Sequence, residues 1–463
     1  MNTFIDRKSE LSAIKSEYAK KGSGFVVIFG RRRVGKTTLI KEFLEKKPCI
    51  YFLADKQLET ELVERLRNSI AVHLKDPSLM EIEFKSWDAV FDYWIKHADF
   101  SKKIIFVIDE FQYLAKVNNA FPSIFQRIWD EKLKVKNIFV ILCGSLINMM
   151  YSTVLIYSSP LYGRRTAQLK LEPIRFQDFS EFFPRISIEK LIEFYSVIGG
   201  VPKYIEVFDS KKDIFYNIQE HILSKKGYLY AEPRFILSEE LTETTTYFSI
   251  LKIIAQGERK MGNIAAKLMT STQNLTGYFN TLIDLGLLER RIPVTEDMPE
   301  KSKKGLYFIK DNFFRFWFRY VFANQNYLEM DNTDYVLQKL KQDFSDFVSH
   351  TFEDIAPDIL FSEEMRKKLP FKPEKWGRWW DRKNEIDLMA INLKEKKALF
   401  VECKWSRSLI DIDILENLKK KAGEVEWFKG SRKEYFALIS RKGFTKRLTE
   451  AANKEDVILK SIT

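Results

Sequence analysis

A glycine-rich loop between an apolar run and a helical pattern constrains this chain more than any other feature. The apolar run FVVIF (residues 25–29) is typical of a buried parallel strand. It leads directly into GRRRVGKTT (residues 30–38), which matches the pattern GxxxxGK(S/T) and is followed by a helical pattern. A strand, this loop and a helix in that order predict a phosphate loop, in which backbone N–H groups at a helix N-terminus surround a phosphate.

The residue types of the phosphate loop suit a nucleoside triphosphate. Gly30 and Gly35 allow the backbone to bend around a phosphate, and Lys36 is predicted to reach the β- and γ-phosphates. The hydroxyl of Thr37 is a candidate ligand for Mg²⁺. We therefore predict that the chain binds ATP and Mg²⁺. The other loop residues predicted to contact ATP are Arg31, Arg32, Arg33, Val34 and Thr38.

Polar residues also follow two further apolar runs. The run KIIFVI (residues 103–108) ends at Asp109 and Glu110, and ligands bind at this end of parallel strands. Asp109 is predicted to hold Mg²⁺, directly or through water, and Glu110 to act as the general base on the attacking water. The run NIFVILC (residues 137–143) leads to Ser145, which could contact the γ-phosphate or the water. An ordinary turn at a strand end is the alternative interpretation of Ser145.

Two later segments are candidates for the rest of an ATP site. The loop PLYGRRT (residues 160–166) contains Arg164, and an arginine can neutralise transition-state charge in cis or from a neighbouring subunit of a homo-oligomer. Paired arginines in a loop are also typical of a solvated surface. The segment GGVP (residues 199–202) breaks an otherwise helical stretch, which suits a small helical lid over the base.

Composition limits the class of protein. With 45% hydrophobic and 30% charged residues the chain is globular. No apolar run approaches the roughly 18 residues of a membrane span, and the first residues lack the apolar core of a secretory signal. Three scattered cysteines fit a reducing compartment, so we expect a cytoplasmic protein. The formal net charge of +12 favours a polyanionic partner, with DNA as the first expectation.

Five motifs in order resemble the archaeal ATPase family, in the AAA+ and signal-transduction branch of P-loop NTPases. They are FIDRKSEL (residues 4–11), GRRRVGKTTL (30–39), VIDEFQYL (107–114), LYGRR (161–165) and GGVPKY (199–204). The resemblance covers residues 3–205. It implies that residues 4–7, including Arg7, border the adenine and that Ser145 is the sensor. It also implies that Arg164 is the arginine finger and that Pro202 marks the lid.

The middle of the chain has the pattern of a winged helix-turn-helix. Three helical patterns precede a hairpin, at residues 247–257, 262–269, 274–285, and then 287–294 and 306–309. In a DNA-binding interpretation, the third helix lies in the major groove. It presents the polar residues Thr272, Gln273, Asn274, Thr276 and Tyr278 to the bases, and the wing lysines Lys301, Lys303 and Lys304 contact phosphate. The third helix has no basic residue, so a protein-packing module is the alternative.

A pair of predicted strands near the C-terminus carries acids and a lysine. The strand ALFVECKW (residues 398–405) places Glu402 and Lys404 on one face, and Asp387 lies in the preceding strand EIDLMAIN (residues 385–392). Two acids beside a lysine can hold a divalent metal and activate water for phosphodiester cleavage. Glu353, in a helical stretch, could supply another acid.

Residues 335–463 resemble the C-terminal domain that accompanies the archaeal ATPase family, which is similar to the restriction-endonuclease (PD-(D/E)XK) fold. The matching motifs are FE (352–353), GRWW (377–380), EID (385–387) and ECKW (402–405). The resemblance implies a nuclease-like centre with Asp387 and Glu402 as metal ligands, assisted by Glu353 and Lys404. A fold retained only for binding is the alternative.

These patterns predict an α/β chain of four modules. They are a P-loop parallel-sheet ATPase core (residues 1–170), a helical lid (171–240), a winged helix-turn-helix (241–325) and a small αβ nuclease-like domain (335–463). The predicted function is Mg²⁺-dependent ATP hydrolysis coupled to DNA binding or cleavage. The alternative is an ATP-dependent regulatory switch whose winged-helix and C-terminal domains only bind a partner.

Overall fold

The computed structural model describes residue 5 and residues 7–462, which form two compact units. Unit 1 consists of the stretch that ends at Ile174, together with Val201–Lys203 and Ile236–Thr242. Unit 2 consists of Arg175–Gly200, Tyr204–Phe235 and Glu243–Thr463. The lid predicted at residues 171–240 is therefore divided between the two units. Among the described residues, no helix is long and apolar enough to span a membrane.

Unit 1 is built on a parallel five-stranded sheet with the order β2-β3-β4-β1-β5. Its strands are β1 (Gly24–Phe29), β2 (Cys49–Leu53), β3 (Ile104–Asp109), β4 (Ile138–Gly144) and β5 (Ala167–Lys170). Every residue of β1, β3 and β4 is buried, as expected for strands covered on both faces. The three strands predicted from continuous apolar runs are confirmed.

Helices cover both faces of this sheet. They are Lys8–Ala19, Lys36–Leu44, Glu59–Leu74, Trp87–His97, Gln112–Val117, Phe121–Ile128 and Ile147–Met150. Alternate residues of β1 enter two different apolar cores, with Phe25 and Val27 in one and Val26 and Ile28 in the other. Burial of each such side chain stabilises the fold by about 1.5–3 kcal/mol. The packing fixes β1, and with it the start of the phosphate loop.

Unit 2 begins with a helical part. Its helices are Phe176–Phe179, Ile188–Ile198, Ile214–Ile218, Thr245–Ala255, Met261–Lys267, Thr272–Asp284, Asn312–Phe316, Gln325–Glu329, Thr333–Asp354, Ala356–Leu360 and Glu363–Arg366. The helices Pro202–Ile205 and Glu232–Glu240 contribute residues to both units.

Three of these helices precede an antiparallel hairpin of β6 (Leu288–Arg291) and β7 (Leu306–Ile309). The helix Thr272–Asp284 begins at the cap Ser271, whose hydroxyl accepts the N–H of Asn274. It buries the predicted stripe of Leu275, Phe279 and Leu282. The helices and the hairpin are confirmed as elements, and their assignment as a winged helix-turn-helix stays a prediction.

The C-terminal part of unit 2 contains a mixed sheet with the order β12-β11-β10-β9-β8. Its strands are β8 (Lys375–Trp380), β9 (Glu385–Asn392), β10 (Lys397–Lys404), β11 (Lys433–Ser440) and β12 (Ile458–Ser461). β8, β9 and β10 are antiparallel neighbours, whereas β10, β11 and β12 run parallel. The helices Ile412–Gly423 and Lys446–Lys454 complete its apolar core.

Candidate functional site

The phosphate loop connects β1 to the helix Lys36–Leu44. Gly30 has a φ of 155°, and a Cβ atom there would lie 2.4 Å from the carbonyl oxygen of Leu171, so only glycine fits. Gly35 has a φ of 92°, and a Cβ atom there would lie 3.9 Å from Cγ of Pro202. Pro202 therefore lies beside the loop, and its role in ligand binding stays a prediction.

Lys36 is buried inside the phosphate loop. Its Nζ donates hydrogen bonds to the carbonyl oxygens of Gly30 and Arg31, each at 2.8 Å. Burial lowers the pKa of Lys36, while the nearby charges of Glu110 and Asp109 act to raise it. The amine is thus held where the loop would surround a phosphate, next to the acids that end β3.

Asp109 receives three hydrogen bonds at the end of β3. Its Oδ2 accepts one from the Thr37 hydroxyl at 3.1 Å and another from the hydroxyl of Tyr51, and its Oδ1 accepts the N–H of Glu110 at 3.0 Å. Burial and then Asp109 raise the pKa of Tyr51, so this phenol stays a neutral donor. Hard oxygen atoms of this kind are the ligands that Mg²⁺ prefers, so Thr37 and Asp109 fit the ion. Sequence reasoning missed Tyr51.

Glu110 and Ser145, predicted separately, are in contact. The Ser145 hydroxyl donates to Oε2 of Glu110 at 2.6 Å, and the side-chain amide of Gln112 donates to the same oxygen. Glu110 has a φ of 57°, in the left-handed region that non-glycine residues rarely occupy. Gln112 is fully buried, and sequence reasoning missed it.

Arg7 supports the phosphate loop from outside. One Nη atom donates to the carbonyl oxygens of Val34, at 3.1 Å, and Glu172, at 2.5 Å. The other Nη atom pairs with Glu10 at 3.0 Å. The guanidinium is therefore held by backbone and by Glu10, and its place beside the adenine stays a prediction. Phe4 and Asp6, which belong to the same predicted border, lie outside the described residues.

The other loop residues differ in their surroundings. Arg31 is buried, Arg33 has a φ of 70°, Val34 is buried and Thr38 is exposed. Arg32 forms an ion pair with Glu239 and donates to the Tyr113 hydroxyl at 2.6 Å. At least this arginine is therefore held by partners within unit 1, in a pair that the sequence did not predict.

Arg164 lies near the end of the sheet where the strands begin, whereas the phosphate loop follows the other end of β1. Arg164 precedes β5, which runs parallel to β1. Two residues later, Thr166 donates its N–H to the carbonyl oxygen of Phe25, near the start of β1. Since strands rise by about 3.3 Å per residue, Arg164 is too distant to reach the loop of its own chain. It pairs instead with Asp130 at 3.0 Å. The cis alternative for this residue is thus excluded, and a role toward a neighbouring subunit stays a prediction.

Glu240 is a half-buried acid of unit 1 near the phosphate loop. It accepts the N–H of Ile147 at 3.3 Å. Burial raises the pKa of Glu240 to about 7, although the charges of Arg31 and Arg32 act to lower it. Sequence reasoning missed this group as well.

We expect Glu240→Gln to stabilise the ligand-free protein at pH 8 by up to about 3 kcal/mol and to change little at pH 4. The folded pKa lies above the ordinary value of 4.5, so the native protein loses stability as pH rises from 4.5 to 7. Glutamine removes this titration and keeps an acceptor for Ile147. Urea unfolding at both pH values measures the difference, with exposed Glu131→Gln as the control. An equal effect at both pH values would contradict the expectation.

Glu402 is buried on β10 between two lysines. Its Oε1 accepts from Nζ of Lys404 at 2.8 Å, and both of its oxygens accept from Nζ of Lys421 at 3.0 Å. Lys421 lies in the helix Ile412–Gly423 and was not among the predicted residues. The charge of Glu402 is therefore compensated by side chains of the same unit.

The structure brings Asp387 close to the other two predicted acids. Burial raises the pKa of Asp387, and the charges of Glu353 and Glu402 raise it further. Asp387 accepts the N–H of Cys403 at 2.8 Å, and Glu353 pairs with Arg378 at 2.8 Å. Within the described part of the chain, no three His, Cys, Asp or Glu side chains are arranged to hold a metal. Metal binding by the acid cluster of Glu353, Asp387 and Glu402 stays a prediction.

Comparisons with known proteins agree with the geometry of unit 1. Residues 4–208 match the model of an ATPase domain predominantly from Archaea, and residues 317–433 match archaeal and bacterial proteins of unknown function. The chain is 38% identical over 442 residues to the uncharacterized protein MJECL04 of Methanocaldococcus jannaschii, which covers 95% of this chain and 96% of that protein.

Two solved structures are also similar. The Walker-type ATPase PABY2304 of Pyrococcus abyssi has a TM-score of 0.50 and 21% identity, over 68% of this chain and 96% of that one. The ORC2 protein of Aeropyrum pernix, in its ADPNP and ADP complexes, has a TM-score of 0.43 and 13% identity, over 73% of this chain and 97% of that one. The first of these supports the α/β fold with a parallel sheet. The nuclease-like assignment of the C-terminal sheet stays a prediction.

Proposed function

The chain belongs to a family of archaeal P-loop ATPases, and from this premise we propose that it couples Mg²⁺-dependent ATP hydrolysis to the binding or cleavage of DNA. The observation that carries the ATPase part is the contact between Thr37 and Asp109 beside that between Glu110 and Ser145. Lys36 and the loop amides would bind the β- and γ-phosphates. Mg²⁺, held by Thr37 and Asp109, supplies positive charge to the phosphates when it is bound.

Hydrolysis also needs a base and an orienting group. Glu110 would accept a proton from the attacking water, and the Ser145 hydroxyl and the Gln112 amide would hold its carboxylate in place. The left-handed backbone at Glu110 supports this role, because strained residues that persist in a fold are common at functional sites.

The acid cluster supports the DNA part of the proposal. The charges of Glu353 and Glu402 act on Asp387, and carboxylates that repel each other favour a cation between them. Lys404 lies beside Glu402, so a metal and an amine could together activate water for phosphodiester cleavage. The formal charge of +12 favours a polyanionic substrate.

Plasmid DNA tests the proposal directly. The full chain is incubated with supercoiled plasmid and Mg²⁺ or Mn²⁺, with and without ATP, while both strand breaks and phosphate release are followed. We expect DNA to stimulate ATP turnover and the metal to permit cleavage. Unstimulated ATP turnover together with intact plasmid and no DNA binding would contradict the proposal.

A regulatory switch is the second candidate, and the ion pairs of the acid cluster favour it. Glu402 is held by Lys404 and Lys421, and Glu353 by Arg378, so these charges are compensated without a metal. In this case ATP would change domain arrangement, and the C-terminal sheet would bind a partner. Nucleotide-dependent association with a protein, with no effect of DNA, would distinguish this function.

If the hairpin of β6 and β7 contacts DNA phosphates, reversing its basic charge should lower the salt dependence of binding. Each lost phosphate contact reduces the slope of log K against log salt by about 0.9. Lys304 already pairs with Glu296 at 2.8 Å, so we expect reversal of Lys301, Lys303 and Lys304 to reduce the slope by about 2. Fluorescence anisotropy with labelled duplex between low and high salt measures this slope.

The control for the hairpin experiment is charge reversal at two exposed lysines elsewhere in unit 2, Lys211 and Lys212. This change should leave the slope within error of the original. If the hairpin substitutions leave the salt slope unchanged, the hairpin of β6 and β7 is not part of the DNA interface.

A further inference from the structure

A cavity of about 410 Å³ in unit 2 is unusually rich in arginine. Its walls come from the end of the helix Thr245–Ala255, β7, residues 315–324 and the helix Thr333–Asp354. Six basic side chains line it: Arg259, Arg291, Arg315, Arg319, Lys339 and Arg378. Only two carboxylates line it, those of Asp343 and Asp354. We call this space the arginine cavity.

Some of the lining arginines already have acidic partners. Asp354 pairs with Arg291 at 2.6 Å and with Arg378 at 2.9 Å, and Asp343 pairs with Arg319 at 2.5 Å. Glutamates outside the lining also pair with Arg291 and Arg378. These pairs account for three of the six cations and for both lining acids.

The other three cations are poorly compensated. Arg259 lies 4.4 Å from the centre of the Phe308 ring, and no carboxylate of the described residues lies within ion-pair distance of it. Lys339 is exposed, donates to the amide oxygen of Asn324 at 3.1 Å and pairs with no carboxylate of the described residues. Arg315 is 3.9 Å from Asp354, and its buried Nε has no acceptor among the described residues.

Burial acts on two of these three groups. It lowers the pKa of Arg259, although Glu385 acts to raise it, and it lowers the pKa of Arg315 to about 10, although Asp354 acts to raise that one. Desolvation of a cation destabilises the folded protein, and acids at these distances offset the cost only in part, so an anion in the cavity would offset more of it.

We propose that the arginine cavity binds a terminal phosphate monoester group. Arginine presents a planar fork of N–H donors that matches phosphate oxygens, and three weakly compensated cations suit a group with nearly two negative charges. Arg259 and Arg291 both stack on the ring of Phe308, each 4.4 Å from its centre, which holds their donors in place. The volume lies within the range of small-molecule sites.

This site is separate from the ATP site, since every lining residue belongs to unit 2. The phosphate group could belong to a free mononucleotide or to the 5′ end of a nucleic acid. Both sources share the chemistry that the cavity recognises, and the experiment below distinguishes them.

The test uses the full chain with Lys36→Ala, so that the phosphate loop does not contribute. Titration calorimetry in EDTA at constant ionic strength measures binding of inorganic phosphate, AMP and a short 5′-phosphorylated oligonucleotide. We expect saturable binding of AMP that Arg259→Gln weakens by about 10-fold or more. Lys260→Gln, at the exposed neighbouring position outside the cavity, should change affinity by less than about 2-fold.

Three further readouts make the result decisive. Thermal melting establishes that the Arg259 variant is folded, and Lys339→Gln, on the helix Thr333–Asp354, should weaken AMP binding in the same way. An oligonucleotide that binds much more tightly than AMP, with the same dependence on Arg259, would assign the phosphate to a nucleic-acid end. Absence of saturable binding for all three probes, or equal weakening by Lys260→Gln, would overturn the proposal.

Discussion

Lys36→Ala is expected to weaken ATP binding by at least about 100-fold, because it removes the only ammonium group held within the phosphate loop. Each charge-assisted hydrogen bond to a phosphate contributes about 1.5–3 kcal/mol, and Lys36 has two donors directed at loop carbonyls that ATP would replace. Alanine also leaves the carbonyl oxygens of Gly30 and Arg31 without these bonds. Calorimetric titration with the slowly hydrolysed analogue ADPNP measures the loss.

Glu110→Gln should instead slow ATP hydrolysis and leave ATP binding nearly unchanged. It should keep ATP affinity within a few-fold and lower kcat by roughly 10²–10⁴, because an amide cannot accept the proton of water. Ser145 and Gln112 donate to the same oxygen of Glu110, and the amide oxygen of glutamine can accept both hydrogen bonds, so the loop geometry should persist. Single-turnover hydrolysis separates this effect on chemistry from any effect on binding.

Exposed residues of unit 1 provide matched controls for both variants. Lys41→Ala lies on the same helix as Lys36, and Glu131→Gln is a solvated acid, so each should behave like the unmodified protein. If Lys36→Ala and Glu110→Gln lose ATP affinity to the same extent, the assignment of Glu110 as the base is wrong.

The second large effect concerns the acid cluster. We expect the Lys36→Ala protein to bind Mn²⁺ through Asp387 and Glu402, and Asp387→Asn to weaken that binding by more than about 10-fold. Asparagine is preferable to alanine because Asp387 accepts the N–H of Cys403, and a buried N–H without an acceptor destabilises the fold by about 1–3 kcal/mol. Calorimetry measures the affinity, and thermal melting checks the fold.

Lys404→Ala separates metal binding from cleavage. The metal must compete with Lys404 and Lys421 for Glu402, so removal of Lys404 should retain or strengthen Mn²⁺ binding. The same variant should abolish any plasmid cleavage, because the lysine would serve the attacking water. Asp381→Asn, an exposed acid near β9, is the control. If Asp387→Asn leaves the Mn²⁺ affinity unchanged, the nuclease hypothesis is wrong and the sheet of β8–β12 belongs to a binding module.

The parts of unit 1 that sequence predicted well are those set by local pattern. Continuous apolar runs identified β1, β3 and β4 because strands covered on both faces have no polar side to alternate with. The positions of Asp109 and Ser145 at one edge followed, since parallel strands end at the same edge. That Ser145 contacts Glu110 directly was not predicted, because it depends on side-chain conformation.

Residues brought together by long-range topology were not predictable. Tyr51 reaches Asp109 only because β2 is the neighbour of β3, and no motif marks a tyrosine in that strand. Glu239 contacts Arg32 across a large separation in sequence. The position of Arg164 followed from the pairing of β5 with β1, which the motif LYGRR does not encode. The arginine cavity likewise combines segments that are individually ordinary.

During synthesis on the ribosome, the nascent chain cannot complete unit 1 when β5 emerges. Ile236–Thr242 must also leave the exit tunnel, and until then Arg32 lacks Glu239 and the N–H of Ile147 lacks Glu240. A recombinant fragment ending at residue 208, the limit of the matched ATPase model, would stay in this unfinished state. An isolated ATPase fragment that keeps these contacts must therefore continue at least to Thr242.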